Sequence, residues 1–442
     1  MRVSLKVEIK TTTDRIESTA GIFLAGKIFH SIEKSVLKEY IGPSYIPALK
    51  SMFGLLVQGR TRYEEINLFR NSSLFKESFN LEYVPAKETL RLYLEKIAMT
   101  QLNINKGINK LNISLLKKVT PSSIKCKYGE YIPNDIDVSP MDNSKSKKEG
   151  VSYTYKGYNG FAPIFSYIGT EGYMLHCELR EGKQHCQKGT PDFLTENIKQ
   201  LNKLNLPHPV LLRLDSDNDS IDTLKPIIKS GQFFIIKRNI RHEKREKWLE
   251  IAKSLATKTE VSNEKKLYIG NYTTVHQKDK TEYPLDIVFK VIGRTVDKRG
   301  VPLLVPEIEI ETYWTNLYET PETVIGLYHD HGTSEQFHSE LKTDMDVERL
   351  PSGKMLVNSL ILQLSKLAYN TLRMIGQTAL KEKKLQPYKT KSKRKRLRKV
   401  ISDIIFIAGK IVTHSRKMIL RLWEHNPWTS IFQKLCMIFN NI

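Results

Sequence analysis

The stretch PVLLRLDSDNDSIDTLKPIIKSGQFFIIKRN, residues 209–239, decides the fold because it reads as a strand, a helix and a second strand in succession. The apolar run that follows Pro209 predicts a buried strand, and Asp215 comes directly after that run. SIDTLKPIIKSG predicts the helix and QFFIIKRN the next strand. This alternation is typical of an α/β sheet, in which side chains at the carboxyl ends of the strands converge on one edge.

Three more strands and a helix are predicted upstream. IPNDIDVSP, residues 132–140, reads as a strand that carries acids, and GFAPIFSYIG with EGYMLHCELREG reads as a hairpin that turns at Gly169 to Gly172. TPDFLTENIKQLNKL follows as a helix, with Thr190 as its cap and Pro191 at its first position. The resulting order, β-β-β-α-β-α-β, predicts a mixed sheet.

The composition points to a polyanionic partner. The chain has 442 residues, with 70 Lys and Arg against 48 Asp and Glu, a formal net charge of +22. This length predicts several domains, and this charge favours nucleic acid as the partner, with a membrane surface as the alternative.

Other classes of protein are disfavoured. No apolar run approaches the roughly 20 residues that span a bilayer, and residues 2–9 alternate like a strand where a signal peptide would be apolar, so we expect a cytoplasmic, nucleoid-associated protein without membrane contact. Four scattered cysteines predict no disulfide framework. The pairs His176-Cys177 and His185-Cys186 fit no common zinc finger.

Several helices are predicted between about residues 19 and 100. VPAKETLRLYLEKIAM has Pro85 near its start and the basic residues Lys87, Arg91 and Lys96 along its length, which suits a DNA reader of the helix-turn-helix kind. A helical packing or dimerisation module would show the same pattern. Residues 1–120 are therefore predicted to recognise DNA, with packing as the alternative.

A second informative stretch is YHDHGTSEQFHSELK, residues 328–342. Four of its polar residues recur at offsets of 3, 4 and 7, which places them on one face of a helix: Tyr328, His331, Glu335 and Lys342. Phe337, Leu341 and Met345 form a separate stripe that can be buried. A packed helix would thus present the carboxylate of Glu335 from a rigid support.

This spacing resembles the Y-x2-R-x3-E-x6-K signature of the DDE transposases of bacterial insertion sequences. Tyr328, Glu335 and Lys342 match the signature, and His331 stands where the family has Arg. The resemblance implies an RNase H-like catalytic core with three metal-binding carboxylates. It also implies that Tyr328, His331 and Lys342 contact DNA phosphate near the bond that is cut.

The other two acids are expected upstream. Asp137 lies in the first strand and Asp215 ends the fourth, and the topology places these strands side by side. Asp135 competes with Asp137, but the family pattern has Ser or Thr two residues after the acid, and Ser139 fits Asp137. Two further acids, Asp217 and Asp219, compete with Asp215, which alone directly follows the apolar run. Asp137, Asp215 and Glu335 are the predicted catalytic and metal-binding residues.

The layout predicts four parts: a mostly helical DNA-binding domain at residues 1–125, a catalytic core at 126–240 and 326–380, a β-rich insertion at 241–325, and a basic linker with a C-terminal helix at 381–442. The fold class is thus α/β, an RNase H-like mixed sheet with an insertion. Trp314 in the insertion is a candidate for stacking on an unpaired base, with packing in a small sheet as the simpler alternative. Residues 400–428 read as an amphipathic helix.

The predicted function is that of a transposase which binds the terminal inverted repeats of its element, cleaves there and joins the 3′-OH ends to target DNA. Two Mg²⁺ ions, for which Mn²⁺ can substitute, would suit the oxygen ligands. Double-stranded DNA is the expected partner, and paired ends would suit a homodimer. A metal-dependent endonuclease of the same fold and a DNA-binding protein with a defunct core are the alternatives.

Overall fold

The protein is described by a computed structural model that covers residues 8–33, 36–262, 265–278, 281–296, 301–415 and 417–441. The strand predicted at residues 2–9 lies outside the described residues except for its last two positions. No helix among the described residues is long and apolar enough to cross a membrane.

The N-terminal part is mostly helical, as predicted. Its elements are the strand β1 (Arg15–Glu17), the helices α1 (Ile22–Glu33), α2 (Val36–Tyr40), α3 (Ile46–Leu56), α4 (Ser73–Phe79), α5 (Lys87–Ala98) and α6 (Gln101–Leu116), and 3-10 helices at Pro43–Tyr45 and Tyr63–Phe69. Gly59, which follows α3, has a φ of 68°, a left-handed conformation that suits glycine.

The central part has the predicted order of strands and helices. It contains β2 (Ile124–Lys125), β3 (Glu130–Val138), β4 (Met141–Asp142), β5 (Ser152–Tyr153), β6 (Asn159–Phe161), β7 (Ile164–Ile168), β8 (Tyr173–Glu178), α7 (Thr190–Asn202), β9 (Val210–Leu214), α8 (Ile221–Ser230) and β10 (Phe233–Lys237). A 3-10 turn at Ser216–Asn218 separates β9 from α8. β9 is buried at all five positions, as expected of a strand covered on both faces.

The insertion and the C-terminal part complete the chain. They contain α9 (Arg245–Leu255), β11 (Ala256–Ser262), β12 (Lys265–Lys278), β13 (Thr281–Val296), β14 (Pro302–Thr315), α10 (Pro321–His329), α11 (Ser334–Ser339), α12 (Met355–Lys381), α13 (Leu397–Val400), β15 (Gly409–His414), β16 (Lys417–Leu422) and α14 (Thr429–Asn440). Between these elements lie 3-10 helices at Asp330–Thr333, Val347–Arg349 and Lys383–Leu385, and π-helices at Glu340–Asp344 and Ile401–Ile405.

Nine of the described strands follow one another in a single sheet, in the order β11-β12-β13-β14-β10-β9-β3-β7-β8, and β2 pairs with β3. β9 pairs in parallel with both β3 and β10, whereas β7, β8 and β14 join antiparallel to their neighbours. The prediction of an α/β fold with a mixed sheet is therefore confirmed. The insertion is not a separate sheet, because β14 pairs directly with β10 of the core.

The long helix α12 organises the helical side of the molecule. It is buried on most of its surface and packs against α3, α5, α6 and β8, which is typical of a helix inside a large core. The apolar core is continuous from the N-terminal helices through the sheet to α14. The division into four domains stays a prediction.

The amphipathic helix predicted for residues 400–428 is wrong. The π-helix Ile401–Ile405 is followed by the hairpin β15–β16, which pairs with β1. Exposed and half-buried residues alternate along β16, which is the period of a strand and not of a helix. A run of β-branched residues, Ile411 to Thr413, favours the same outcome in β15.

Candidate active site

Asp137 and Asp215 lie at one edge of the sheet because β3 and β9 run side by side. Ile136 in β3 is paired with Leu214 in β9, so the acid that follows each of them reaches the same edge. Burial, with the neighbouring charges of Asp137 and Asp217, raises the pKa of Asp215 to about 6. The predicted pair of strand-end acids is thus brought together closely enough for their charges to interact.

The carboxylate of Asp137 is held by a histidine. His338 Nε2 lies 3.1 Å from Asp137 Oδ2, and the Nδ1 atom of the same ring lies 3.3 Å from the hydroxyl of Tyr167. Burial would raise the pKa of Asp137, but the hydrogen bond and charge of His338 outweigh it and lower that pKa. Asp137 is thereby ionised and oriented.

Asp215, by contrast, has no cationic partner in an ion pair within the described ranges. Its Oδ1 accepts a hydrogen bond of 2.7 Å from the Asn218 side chain, located in the 3-10 turn that follows β9. An amide stabilises a carboxylate less than a full charge does. Negative charge therefore remains uncompensated at this edge of the sheet.

Glu335 borders the same region from α11. Its side chain is exposed and lines a cavity of about 440 Å³ together with Asp137 and Lys342. Lys342 Nζ donates a hydrogen bond of 2.6 Å to the carbonyl of Pro140 in that cavity. We call this space the acid cavity. In the described part of the chain, no three His, Cys, Asp or Glu side chains stand close enough to hold a metal ion.

The stretch 328–342 is helical but is not one α-helix, so the prediction of a single polar face is wrong. α10 ends at His329, a 3-10 turn follows, and α11 widens into a π-helix after Ser339. Each change of pitch rotates the side chains that follow, and exposed Gly332 in the turn weakens a regular helix. The apolar stripe is confirmed, because Phe337, Leu341 and Met345 are all buried.

His331 and Tyr328 consequently do not line the acid cavity with Glu335, although Tyr328 is near the acid pair, since burial and the charges of Asp215 and Asp137 raise its pKa. His331 is 7% exposed, and its Nδ1 lies 2.9 Å from Asp135 Oδ1. Tyr328 packs against Tyr313, with ring centres 4.8 Å apart. The predicted contacts of these residues with DNA stay predictions, and His331 is engaged with a carboxylate of the protein in this structure.

The buried position of Asp135 explains why it is a poor candidate for catalysis. Arg213, its neighbour across β3 and β9, donates from Nε at 2.6 Å to Oδ1 and from Nη2 at 2.8 Å to Oδ2. Burial would raise the pKa of Asp135, but Arg213 and His331 lower it. The acid that competed with Asp137 is therefore neutralised inside the protein.

Trp314 is packed in this structure. The residue is 6% exposed, its indole N–H donates to Asp219 Oδ1 at 2.8 Å, and Arg238 lies 4.5 Å from the ring centre. This matches the simpler alternative given for Trp314, and base stacking stays a prediction. The same bond occupies Asp219, which had competed with Asp215.

The sequence analysis missed several residues of the acid cavity, among them His338 and Tyr155. His338 follows Glu335 by three positions, so helical spacing could have placed both on one side of α11. Tyr155 lines the cavity and donates from its hydroxyl to the carbonyl of Val138 at 3.0 Å. Tyr155 lies in a connection between short strands, where no periodic signal exists.

A second cavity lies near α11 and is basic. It has a volume of about 1010 Å³ and is lined by Phe337, by the ion pair of Asp135 with Arg213 and by the acids Glu171 and Asp330. Five lysines outnumber these acids and form no ion pair among the described residues: Lys125, Lys381, Lys383, Lys391 and Lys393. We call it the basic groove. Its positive charge suits a phosphate backbone.

Comparison with known proteins identifies the family. No curated protein matches the chain significantly. A cryo-EM structure of the piggyBac transposase synaptic complex with hairpin DNA resembles it with 12% identity and a TM-score of 0.40, covering 87% of this chain and 79% of that chain, a likeness too weak to argue from. The model of the family "Transposase DDE domain group 1" matches residues 49–441. Since this match spans most of the chain and includes all three predicted acids, the protein belongs to the DDE transposases of group 1.

Proposed function

We propose that this transposase binds the terminal inverted repeats of its own element, cleaves the DNA there and transfers the 3′-OH ends to target DNA. The observation that carries the proposal is the acid pair Asp137 and Asp215 at the carboxyl edge of β3 and β9. Burial and the charges of Asp137 and Asp217 raise the pKa of Asp215 to about 6, which is typical of an acid site that lacks a cation.

The donor atoms of this site fit a hard divalent cation. Asp137 and Glu335, which line the acid cavity, and Asp215, at the same edge of the sheet as Asp137, offer carboxylate oxygens, which Mg²⁺ and Mn²⁺ prefer. Two such ions, when bound, would activate the attacking oxygen and stabilise the leaving oxygen of phosphoryl transfer. We assign the holding of these ions to Asp137, Asp215 and Glu335.

Residues around the acids would position the DNA. Lys342 borders the acid cavity and supplies a positive charge near the bond that is cut, while His338 keeps the Asp137 carboxylate in one orientation. We further assign DNA contacts to Tyr328 and His331, while Trp314 packs in the sheet and base stacking is the alternative role that its substitution would test. The lysines of the basic groove would hold the phosphate backbone beyond the cleavage site.

The finer classification is also part of the proposal. The sheet order supports an RNase H-like core, and the spacing of Tyr328, Glu335 and Lys342 supports the branch of bacterial insertion sequences. We propose that the protein acts in the cytoplasm on nucleoid DNA, as a homodimer that brings two ends together.

The test uses full-length variants and DNA that carries the inverted repeats flanking the gene. Asp137→Asn, Asp215→Asn and Glu335→Gln should each abolish Mg²⁺-dependent cleavage while end binding persists in a gel-shift assay. Asp217→Asn is the matched control, because it removes a neighbouring charge without removing an assigned ligand. Cleavage near the wild-type rate in any of the three variants would show that its acid is misassigned. Cleavage without joined products would favour the endonuclease.

A further inference from the structure

The helical segment that carries Glu335 depends on support from outside. It consists of the six-residue α11 and the five-residue π-helix Glu340–Asp344. Such short helices have little stability of their own, and π-helices are rare in proteins. Glu335 makes no hydrogen bond or ion pair with any residue that the structure describes. Its location is therefore set by whatever holds the segment.

Arg394 supplies one part of this support. It lies in the basic run of residues 382–400, which follows α12. It forms an ion pair with Glu340, donates from Nη2 to Gln336 Oε1 at 2.7 Å, and lies 4.8 Å from the ring centre of Phe337. Glu340 is 2% exposed, and its other oxygen pairs with Arg373 of α12, which is fully buried. The guanidinium of Arg394 thus contacts both α11 and the start of the π-helix, and Glu340 links them to α12 through its ion pair with Arg373.

Arg396 supplies the second part, one turn further along the segment. Its Nε lies 2.8 Å from Asp344 Oδ2 and its Nη2 lies 3.0 Å from Oδ1, a bidentate pair with a carboxylate that is fully buried. Nη2 also donates to Ser339 Oγ at 3.3 Å. The backbone N–H of Arg398 donates to the same Asp344 carboxylate at 3.1 Å. The run therefore follows the segment from Gln336 to Asp344.

We infer that Arg394 and Arg396 are positioning residues that hold Ser334–Asp344 and so determine where Glu335 stands at the acid cavity. The inference rests on the proposed function for the role of Glu335. It divides the basic run by role: the two arginines bind carboxylates of the protein, as Lys395 does with Asp403, whereas Lys391 and Lys393 line the basic groove. The planar fork of arginine suits this use, because it can bind a carboxylate at two points.

The experiment compares arginine and lysine variants of the full chain. Arg394→Gln and Arg396→Ala each remove one charge, and so do the matched controls Lys391→Ala and Lys393→Ala, one to five residues away. We expect the amides of residues 334–344 to exchange hydrogen faster in both arginine variants and at the wild-type rate in the controls. The cleavage rate at saturating DNA should fall roughly 100-fold in the arginine variants, because a displacement of about 1 Å costs that much. Their affinity for DNA should fall no more than that of the controls.

Two further measurements keep the inference open to refutation. The Arg396 side chain is 51% exposed, so Arg396→Ala tests the inference even if Arg394→Gln fails to fold. Arg396→Lys should restore the cleavage rate only in part, because an ammonium group cannot bind a carboxylate at two points as a guanidinium does. Unchanged exchange together with reduced affinity and an intact saturated rate would make the arginines DNA contacts and overturn the inference. If the protein cleaves no DNA at all, the proposed function fails, and the exchange measurement alone still decides whether these arginines hold the segment.

Discussion

Replacing Asp215 by Asn should stabilise the protein at neutral pH in the absence of divalent metal. Burial and the charges of Asp137 and Asp217 raise the pKa of Asp215 to about 6 from the ordinary value of 3.8, a difference that corresponds to about 3 kcal/mol. The folded state thus holds this proton more tightly than the unfolded chain. The free energy of unfolding therefore falls as the pH rises from about 4 to about 6, and the full cost is present above that range.

The substitution removes this cost without removing the local hydrogen bond. Asn keeps an Oδ1 that can accept the 2.7 Å bond from Asn218. At pH 4 the side chain at position 215 is neutral in both folded proteins and only partly ionised in the unfolded wild type, so their free energies of unfolding should agree within about 0.5 kcal/mol. At pH 7.5 Asp215→Asn should be the more stable protein by up to about 3 kcal/mol, an upper value because water reaches part of the site.

Urea unfolding in EDTA at the two pH values measures this difference, with Glu335→Gln as the control. Glu335 is an exposed acid of the neighbouring acid cavity, so its neutralisation should change the free energy of unfolding by less than about 0.5 kcal/mol at either pH. Adding Mg²⁺ at pH 7.5 should stabilise the wild type more than the variant, since only the wild type keeps both strand-end carboxylates. A difference between variant and wild type that is the same at pH 4 and pH 7.5 would refute the reasoning.

Three other predictions follow from the surroundings of the site. Lys391→Ala and Lys393→Ala should each reduce the slope of log affinity against log salt concentration by about 0.9, because each lysine is expected to neutralise one phosphate of the end DNA. An unchanged slope would show that the DNA does not bind in the basic groove. Arg213→Ala should cost about 3–5 kcal/mol in urea unfolding, because the buried carboxylate of Asp135 keeps only His331 as an ion-pair partner. A loss below about 1 kcal/mol would contradict the assigned ion pair. Trp314→Phe should cost about 1 kcal/mol of stability through its lost indole hydrogen bond while the affinity for end DNA stays constant, and a selective loss of affinity would favour base stacking.

The sheet could be predicted because local sequence patterns are enough to identify its strands. VLLRL in β9 is apolar at nearly every position and is bounded by Pro209 and Asp215, so both the element and the acid at its end follow from the pattern. Adjacency of β3 and β9 followed from the order of the elements. The acid pair was therefore accessible from the sequence.

The rest of the site depends on contacts between distant residues. Nothing near Asp135 in sequence indicates that Arg213, 78 positions away, would neutralise it, and the same holds for Arg396 and Asp344, 52 positions apart. The changes of pitch after His329 and Ser339 come from packing that overrides the local period. Side-chain spacing alone therefore did not predict the contact of His331 with Asp135, nor the ion pairs of Arg394 and Arg396 with carboxylates of the protein.

Because β14 pairs with β10, residues 241–325 form part of the sheet of the core. If this stretch were deleted, the backbone groups of β10 that bond to β14 would become an open sheet edge. Open sheet edges promote aggregation, so a transposase of this kind could not lose the stretch and keep a stable core. Glu335 also comes after the stretch in the chain, so the core can close only once about 80 intervening residues have folded back. Evolution can therefore vary the outer strands β11 and β12 far more freely than β14, and shortened forms of the enzyme should keep that strand.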